Sequence, residues 1–148
     1  MCSPHFPVGQ TSRVPFQKLT STDAFVVTDL AGAPSATGIV RRARKILPDG
    51  AKLLARTTTY SWAVLGQQVS GASAGINAED DAAEAAVAAF VEELTAQVAD
   101  GSLSVDAGKG VPADSLGPLD AVDRRNGARR TAATNGTVDD ELLAAGAV

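Results

Sequence analysis

A run of small residues near the middle of the chain contains a serine in a pattern typical of hydrolases. Residues 71–75, GASAG, match G-x-S-x-G, in which a strained turn between a strand and a helix exposes a nucleophilic serine, here Ser73. That chemistry needs a histidine later in the chain to accept the serine proton. The single histidine, His5, precedes Ser73, and the residues before the run indicate a helix. We therefore interpret residues 70–75 as a tight turn from a helix into a strand.

Three segments of the chain share a longer pattern. Residues 59–66 read TYSWAVLG, residues 70–76 read SGASAGI, and residues 106–109 read DAGK. They resemble, in order, the T-[YF]-K-x-A, G-G-[AG]-K-[GA]-[GV] and D-[VAM]-G-[TS] motifs of the glutamate/leucine/phenylalanine/valine dehydrogenase family. The first two follow one another in the family's register without a gap, and Lys109 stands where the family has a hydroxyl residue. The chain therefore resembles the substrate domain of these amino-acid dehydrogenases.

The resemblance implies the NAD(P)-dependent oxidative deamination of an L-amino acid, with roles for particular positions. It implies a carboxylate-binding lysine at position 61, a catalytic lysine at position 73, and proton transfer through Asp106. The candidate catalytic residues are thus Asp106 and Ser73, and the candidate substrate-binding residues are Ser61, Gly71 and Ala72. Both lysine positions hold serine, whose hydroxyl cannot supply a positive charge. We therefore expect no dehydrogenase activity from this chain alone.

The order of predicted elements favours an α/β fold. Strands are expected at 24–30, 37–41 and 103–105, and helices at about 51–66 and 79–99. The first strand is apolar on both faces, which indicates a central strand buried on both sides, whereas the resemblance implies that it lies at an edge where subunits pair. The fold expected is a three-layer sandwich with a mixed, mostly parallel sheet flanked by helices.

Hydrophobic periodicity predicts which face of each helix is buried. Pro48 and Asp49 mark the start of the first helix, with Asp49 as the candidate N-cap. In the first helix the predicted buried residues are Leu53, Leu54, Thr57, Tyr60 and Val64. In the second helix they are Val87, Phe90, Val91, Leu94 and Val98.

Composition shifts divide the chain into four parts. Residues 1–20 are expected to be an irregular N-terminal segment, and residues 21–113 the core of a substrate-binding and dimerisation domain. Residues 114–137 are polar and rich in turn formers, which favours a flexible connection. Residues 138–148 begin a helix that, in the resembling family, leads to a nucleotide-binding Rossmann domain absent from this chain.

Charge and composition argue against several classes of function. A net charge of −4 gives no electrostatic reason to bind nucleic acid or an anionic membrane, and no apolar run reaches the ~20 residues of a membrane helix. Without a signal peptide, the expected location is cytoplasmic. The single cysteine excludes an internal disulfide, and no Cys/His cluster is present to bind zinc. The basic run at 41–45 favours a solvated edge over an anion site, and residues 108–113 match G-x-G-x-x-A too weakly to be a cofactor loop.

Three functions remain open. In the first interpretation the chain is the substrate-binding and oligomerisation domain of a divergent amino-acid dehydrogenase. In the second it is a non-catalytic binding and assembly module derived from that fold. In the third interpretation it is a different enzyme that uses Ser61, Ser73 and Asp106. We expect no cofactor in this chain itself, NAD(P) being implied only through the missing domain. The expected partners are further copies of the chain and, as a possible ligand, an amino acid.

Overall fold

The computed structural model describes residues 15–123, which form one sheet with helices on both sides. The strands are β1 Phe16–Lys18, β2 Ala24–Thr28, β3 Ala36–Ala43, β4 Ser70–Asn77 and β5 Leu103–Ala107. The helices are α1 Pro48–Val64, α2 Ala83–Ala99 and α3 Gly117–Val122. Single 3-10 turns at Asp80–Ala82 and Ala113–Leu116 lead into α2 and α3. Residues 124–137 of the connection predicted at 114–137, the whole predicted segment 138–148, and His5 lie outside the described residues.

The sheet has the strand order β1-β2-β4-β3-β5. β3 runs parallel to both β4 and β5, and β2 runs antiparallel to β4 and β1. Four strands therefore point one way and β2 points the other, which confirms the mixed, mostly parallel sheet. β2 lies between β1 and β4, so the expectation of an edge strand at 24–30 is wrong, whereas its burial on both faces is confirmed.

One face of the sheet is covered by α2 and α3. The α2 residues Val87, Phe90, Val91, Leu94 and Val98 are buried, as their spacing predicts. They form one apolar core with alternate residues of the central strands, among them Val26, Val40, Ala72, Ala74 and Ile76. Strand alternation sends these side chains to the same side of the sheet, and α2 buries its apolar stripe against them. α3 and the 3-10 turn before it add Leu116 and Leu119 to this core.

The opposite face is covered by α1, with a different set of residues buried. Ala51, Ala55 and Thr59 face the sheet. The predicted stripe is wrong, because its large members are exposed, to 67% at Leu53, 43% at Leu54, 64% at Tyr60 and 86% at Val64. Thr57 is exposed as well. Small residues face the sheet because α1 lies too close to β4 for large side chains to fit between them.

Both ends of α1 follow the rules for helix termini, though not as the sequence predicts. Leu47, in an extended conformation, is the N-cap, and Pro48 occupies the first turn. A residue before proline is driven to extended angles, and proline at the first helical position has no N–H to leave unpaired. Asp49 is therefore inside the first turn and not the N-cap, and its carboxylate pairs with Lys52 at 3.0 Å. At the other end Gly66 adopts a left-handed φ of 73°, which only glycine accepts readily.

The predicted turn at 70–75 is the central strand of the sheet. All of Ser70–Ile76 are buried, and β4 pairs with β2 on one side and β3 on the other. A Cβ on Gly71 would lie 1.7 Å from the Ala55 carbonyl oxygen of α1, so the small residues permit close helix-to-strand packing. Small residues therefore serve close packing in this strand and do not form a turn.

Candidate functional site

Two of the sequence-predicted residues, Ser73 and Asp106, lie on one face of the sheet. In β4, Ala72 and Ala74 point into the core beneath α2, so Ser73 points to the α1 side. In β5, Leu103 and Val105 belong to the same core, so Asp106 also points to the α1 side. The strand register sets both residues opposite the same residue of β3 and so brings them together from segments 33 residues apart in sequence.

The residue between them is Ile39 of β3. Ile39 pairs with Ser73 on one side and with Asp106 on the other, so the two Cα atoms lie two strand spacings apart, about 10 Å. α1 lies over β4 and β2, and the Ile39 side chain is 50% exposed. We call the surface formed by Ser73, Ile39, Asp106 and Arg41, which follows on β3, the Ser73–Asp106 face. Ile39 is exposed on this face, Arg41 and Asp106 are half-buried, and Ser73 is buried beside α1.

Ser73 is in a confined setting. It is 3% exposed. Gly71 and Gly75 flank it on the same side of the strand, and Cβ atoms at these glycines would meet α1 and the Phe25 ring respectively. Among residues 15–123 no histidine, lysine or carboxylate bonds to the Ser73 hydroxyl in the way that activates a nucleophilic serine.

Ser61 lies apart from the Ser73–Asp106 face. It is exposed on α1, off the buried stripe, and its hydroxyl donates to the Thr57 carbonyl oxygen at 3.1 Å. Three neighbouring threonines of the helix bond back to their own turns in the same way. Such bonding occupies the hydroxyl proton locally. The structure therefore shows no contact between Ser61 and the sheet.

The other two candidates are packed inside the domain. The Gly71 N–H donates to Thr59 Oγ1 at 2.8 Å, and that hydroxyl donates to the Ala55 carbonyl oxygen at 3.2 Å. Ala72 is 2% exposed and lies in the core under α2. A ligand role for Gly71 and Ala72 stays a prediction, and their observed contacts are with α1 and with the core.

A further residue of this face, Arg41, was not singled out by the sequence. It lies on the α1 side of β3, two residues after Ile39, and its Cγ approaches Gly108 so closely that a Cβ there would lie 3.1 Å away. Its Nε is buried and has no hydrogen-bond acceptor within the described residues. A buried donor without a partner is uncommon in folded proteins. Alternation along β3 separates Arg41 from Arg42, but the strand predicted at 37–41 ended too early to show it.

Those neighbours are paired on the protein itself. Arg42 points to the other face, where it donates to the carbonyl oxygens of Gly110 and Ala78 and pairs with Asp80 at 2.9 Å. Arg44 pairs with Glu79 at 2.6 Å. Within the basic run, Arg42 and Arg44 are thus paired on the protein, and the buried Nε of Arg41 has no acceptor in the part of the chain that the structure describes.

Residues 15–123 contain neither a metal-binding cluster of side chains nor a loop that fits a dinucleotide. No group of three or more His, Cys, Asp or Glu side chains there could hold a metal ion. Residues 108–113 do not fit a dinucleotide, because Gly110 packs against the Arg42 carbonyl oxygen and a four-residue 3-10 turn follows in place of a long helix. None of the described helices is both long and apolar enough to cross a bilayer.

A cavity of about 450 Å³ lies at the opposite end of the sheet from Asp106. It is lined by Leu30–Pro34, Thr59, Ala63 and Gln67–Val69, near the amino ends of β3 and β4. None of these lining residues is ionisable. Ligands of open α/β sheets bind at the carboxyl ends of the parallel strands, where Arg41 and Asp106 lie, so the chemistry favours the Ser73–Asp106 face over this cavity.

The fold is shared with several amino-acid dehydrogenases of known structure. L-tryptophan dehydrogenase from Nostoc punctiforme matches 76% of this chain with a TM-score of 0.59 and 16% identity. Hetero-hexameric glutamate dehydrogenase from Thermus thermophilus, in a leucine-bound form, matches 74% with a TM-score of 0.58 and 18% identity. Glutamate dehydrogenase from Peptoniphilus asaccharolyticus matches 71% with a TM-score of 0.55 and 14% identity.

The likeness is one of fold. No protein-family model and no curated protein sequence matches the chain. The matched part covers 35%, 30% and 28% of those three dehydrogenases, so the chain spans about a third of their length. The resemblance inferred from the three sequence motifs is therefore confirmed as a shared fold. The matching structures do not test the roles of individual residues.

Proposed function

We propose that residues 15–123 form the amino-acid-binding domain of a divergent protein of the amino-acid dehydrogenase type. One observation carries this proposal. Ser73 and Asp106, which resemble two chemically active positions of that family, lie on one face of the shared sheet and flank the same residue, Ile39. Residues brought together in this way from distant segments are what a binding site requires.

The exposure of this face supports the proposal. Parallel strands are normally covered on both sides, yet Ile39 on the parallel strand β3 is half exposed. The L-tryptophan dehydrogenase and glutamate dehydrogenases with this fold are about three times as long as the matched part. A site here would be completed by a ligand and by protein outside the described residues, and NAD(P) would be bound by that other part.

The serines at positions 61 and 73 favour a chain that binds an amino acid without catalysing its oxidative deamination. A lysine at position 73 would reach across Ile39 toward Asp106, whereas the serine side chain is too short for a separation of about 10 Å. Losing a positioned acid–base group costs about 10²–10⁴-fold in rate. We therefore expect no NADH production from the 148-residue chain with any L-amino acid.

An assembly role is the second candidate, and α1 supports it. Leu53, Tyr60 and Val64 are 67%, 64% and 86% exposed on one helix, and contiguous exposed apolar surface marks interaction sites. The leucine-bound glutamate dehydrogenase of the same fold is a hetero-hexamer. The proposal includes a homo-oligomer that covers this surface, and a single-chain mass at every concentration in analytical ultracentrifugation would remove it.

The binding proposal is tested by chemical-shift mapping of the ¹⁵N- and methyl-labelled chain with a panel of L-amino acids and their 2-oxo acids. We expect at least one ligand to shift the Ile39 methyl groups and the Ser73 and Asp106 amides together. An Asp106→Asn variant should bind the amino acids more weakly and the 2-oxo acids with little change, because only the amino acids carry an ammonium group. Shifts confined to the cavity beside Pro34 would contradict the proposal.

A further inference from the structure

The guanidinium group of Arg41, on the Ser73–Asp106 face, has the properties of an anion-binding group. A guanidinium group stays charged at every accessible pH, and removing such a charge from water without a partner is costly. Arg41 Nε is nevertheless buried without an acceptor within residues 15–123. The side chain is half-buried, so the rest of the guanidinium fork remains within reach of a small molecule.

The surroundings of Arg41 define what that molecule would carry. Arg41 lies over Gly108, which directly follows β5, and Asp106 lies within β5 two residues before Gly108 and on the same side of the sheet. The diagonal register across β3 and β5 sets the Arg41 and Asp106 Cα atoms about 8 Å apart. One positive and one negative group at this spacing match the carboxylate and the ammonium of an α-amino acid. They match inorganic phosphate poorly, because the carboxylate of Asp106 would repel it.

Gly108 is part of this arrangement. A Cβ at this position would lie 2.4 Å from Ile39 Cγ2 and 3.1 Å from Arg41 Cγ. Any larger residue would therefore displace the Arg41 side chain from its place beside Asp106. Because Gly108 has no side chain, the aliphatic part of Arg41 can pack against the backbone there, and this contact orients the guanidinium group.

We propose that Arg41 binds the carboxylate of the amino acid or 2-oxo acid on this face, in place of the lysine that is missing at position 61. The proposal rests on the amino-acid-binding function and adds the residue that anchors the ligand. Arginine suits the task because its planar fork holds a carboxylate through two parallel hydrogen bonds. Ser61 does not suit it, since its hydroxyl carries no charge and already donates to the Thr57 carbonyl oxygen.

The test follows the Arg41 Nε–H resonance of the 148-residue chain during titration with L-leucine, 2-oxo-4-methylpentanoate and sodium phosphate. We expect both organic acids to shift this resonance, with phosphate much weaker. Arg41→Met should weaken binding of both acids about tenfold to hundredfold, the range for losing a hydrogen bond to a charged group. Arg41→Lys should bind both acids with an affinity between those of the wild type and of Arg41→Met, because lysine keeps the charge and lacks the planar guanidinium fork.

Two controls separate this role from a structural one. Arg44→Gln removes an exposed arginine whose partner is Glu79, and it should leave the affinity unchanged within about twofold. Arg41→Met should keep the wild-type melting temperature, because it buries a similar stem and removes an unpaired donor. A lowered melting temperature in both Arg41 variants, with affinity lost in proportion, would show a structural role and overturn the proposal.

The outcomes also separate this proposal from the function on which it rests. If the acids shift Ile39 and Asp106 while the Arg41 resonance stays still and Arg41→Met binds normally, the domain binds amino acids and Arg41 is not the anchor. If phosphate shifts the Arg41 resonance as strongly as leucine does, Arg41 is a general anion site and the proposal that it anchors the amino acid fails. If no ligand shifts any residue of the face, both proposals are wrong.

Discussion

The two long helices have the same length and opposite ways of packing on the sheet. α1 and α2 each contain 17 residues and cover opposite faces. α2 buries Val87, Phe90 and Leu94 in a large side-chain core, whereas α1 buries small residues, with Ala51 and Ala55 beside Phe25 and Val27 of β2 and Thr59 bonded to the backbone of β4. The stripe of large residues on α1 points to solvent. A hydrophobic stripe therefore predicts the buried side of a helix only where the helix lies far enough from the sheet for large side chains to fit between them.

The strand between the helices explains this difference. Toward α2, β4 presents Ala72, Ala74 and Ile76, which pack with large residues. Toward α1 it presents Gly71, Ser73 and Gly75, and the helix backbone comes close enough for the Gly71 N–H to bond to Thr59 Oγ1. The α2 side thus depends on a large apolar core, and the α1 side combines a small apolar cluster with close contact between the helix and the β4 backbone.

The strongest test of the close α1 contact is Gly71→Ala. Its Cβ would lie 1.7 Å from the Ala55 carbonyl oxygen, so α1 must move away from β4 and lose the bond between Gly71 and Thr59. We expect a loss of about 3 kcal/mol in the free energy of unfolding, at the upper end for overpacked cores. Urea denaturation followed by circular dichroism measures it.

The matched control is Gly50→Ala, in the first turn of the same helix. A Cβ at Gly50 would meet nothing within 4 Å, and alanine favours the helix, so the change should stabilise the protein by up to about 1 kcal/mol. Equal effects from the two substitutions would mean that α1 is not held against β4 by close contact.

A smaller effect is expected on the α2 side, where Glu93 ties the helix to the loop between β1 and β2. Its carboxylate accepts hydrogen bonds from the backbone N–H groups of Thr20 and Ser21 and from both hydroxyls. The Ser21 hydroxyl and then these N–H groups lower the pKa of Glu93 from 4.5 to about 2. Because the folded pKa lies below the unfolded one, the contribution is fully present above pH 4.5 and is lost as the pH falls toward 2.

Glu93→Gln should therefore unfold more easily at pH 7 and lose less stability than the wild type between pH 4.5 and 2. Thermal unfolding across this range measures the difference. Glu92→Gln, at the exposed neighbouring position, should keep the wild-type pH dependence. An unchanged acid slope in the Glu93 variant would show that the carboxylate does not hold the loop.

The sequence predicted the elements well because most of them carry strong local patterns. The apolar run of β2, the stripe of α2 and the short alternation before Asp106 all appear as expected. Residues 70–75 were misread because a glycine-rich turn and a glycine-rich buried strand have the same composition. The fact that separates them is α1 lying on Gly71, a tertiary contact with no local signal.

Only part of the candidate site could be predicted from the sequence. The motifs selected Ser73 and Asp106, and the register then brought both beside Ile39. Arg41 was grouped with a basic run, because its difference from Arg42 appears only when the direction of each side chain from β3 is known. Ser61 was expected near the site, and its outward direction depends on which side of α1 faces the sheet.

The most direct test of the central claim is a crystal structure of the chain with a bound L-amino acid from the titration panel. The account predicts ligand density over Ile39, with the carboxylate at Arg41 and the ammonium toward Asp106, and no group bonded to Ser61. Density only in the cavity between Leu30–Pro34 and α1, or against the exposed side of α1, would contradict it. Such a result would show that the Ser73–Asp106 face is not where this protein binds amino acids.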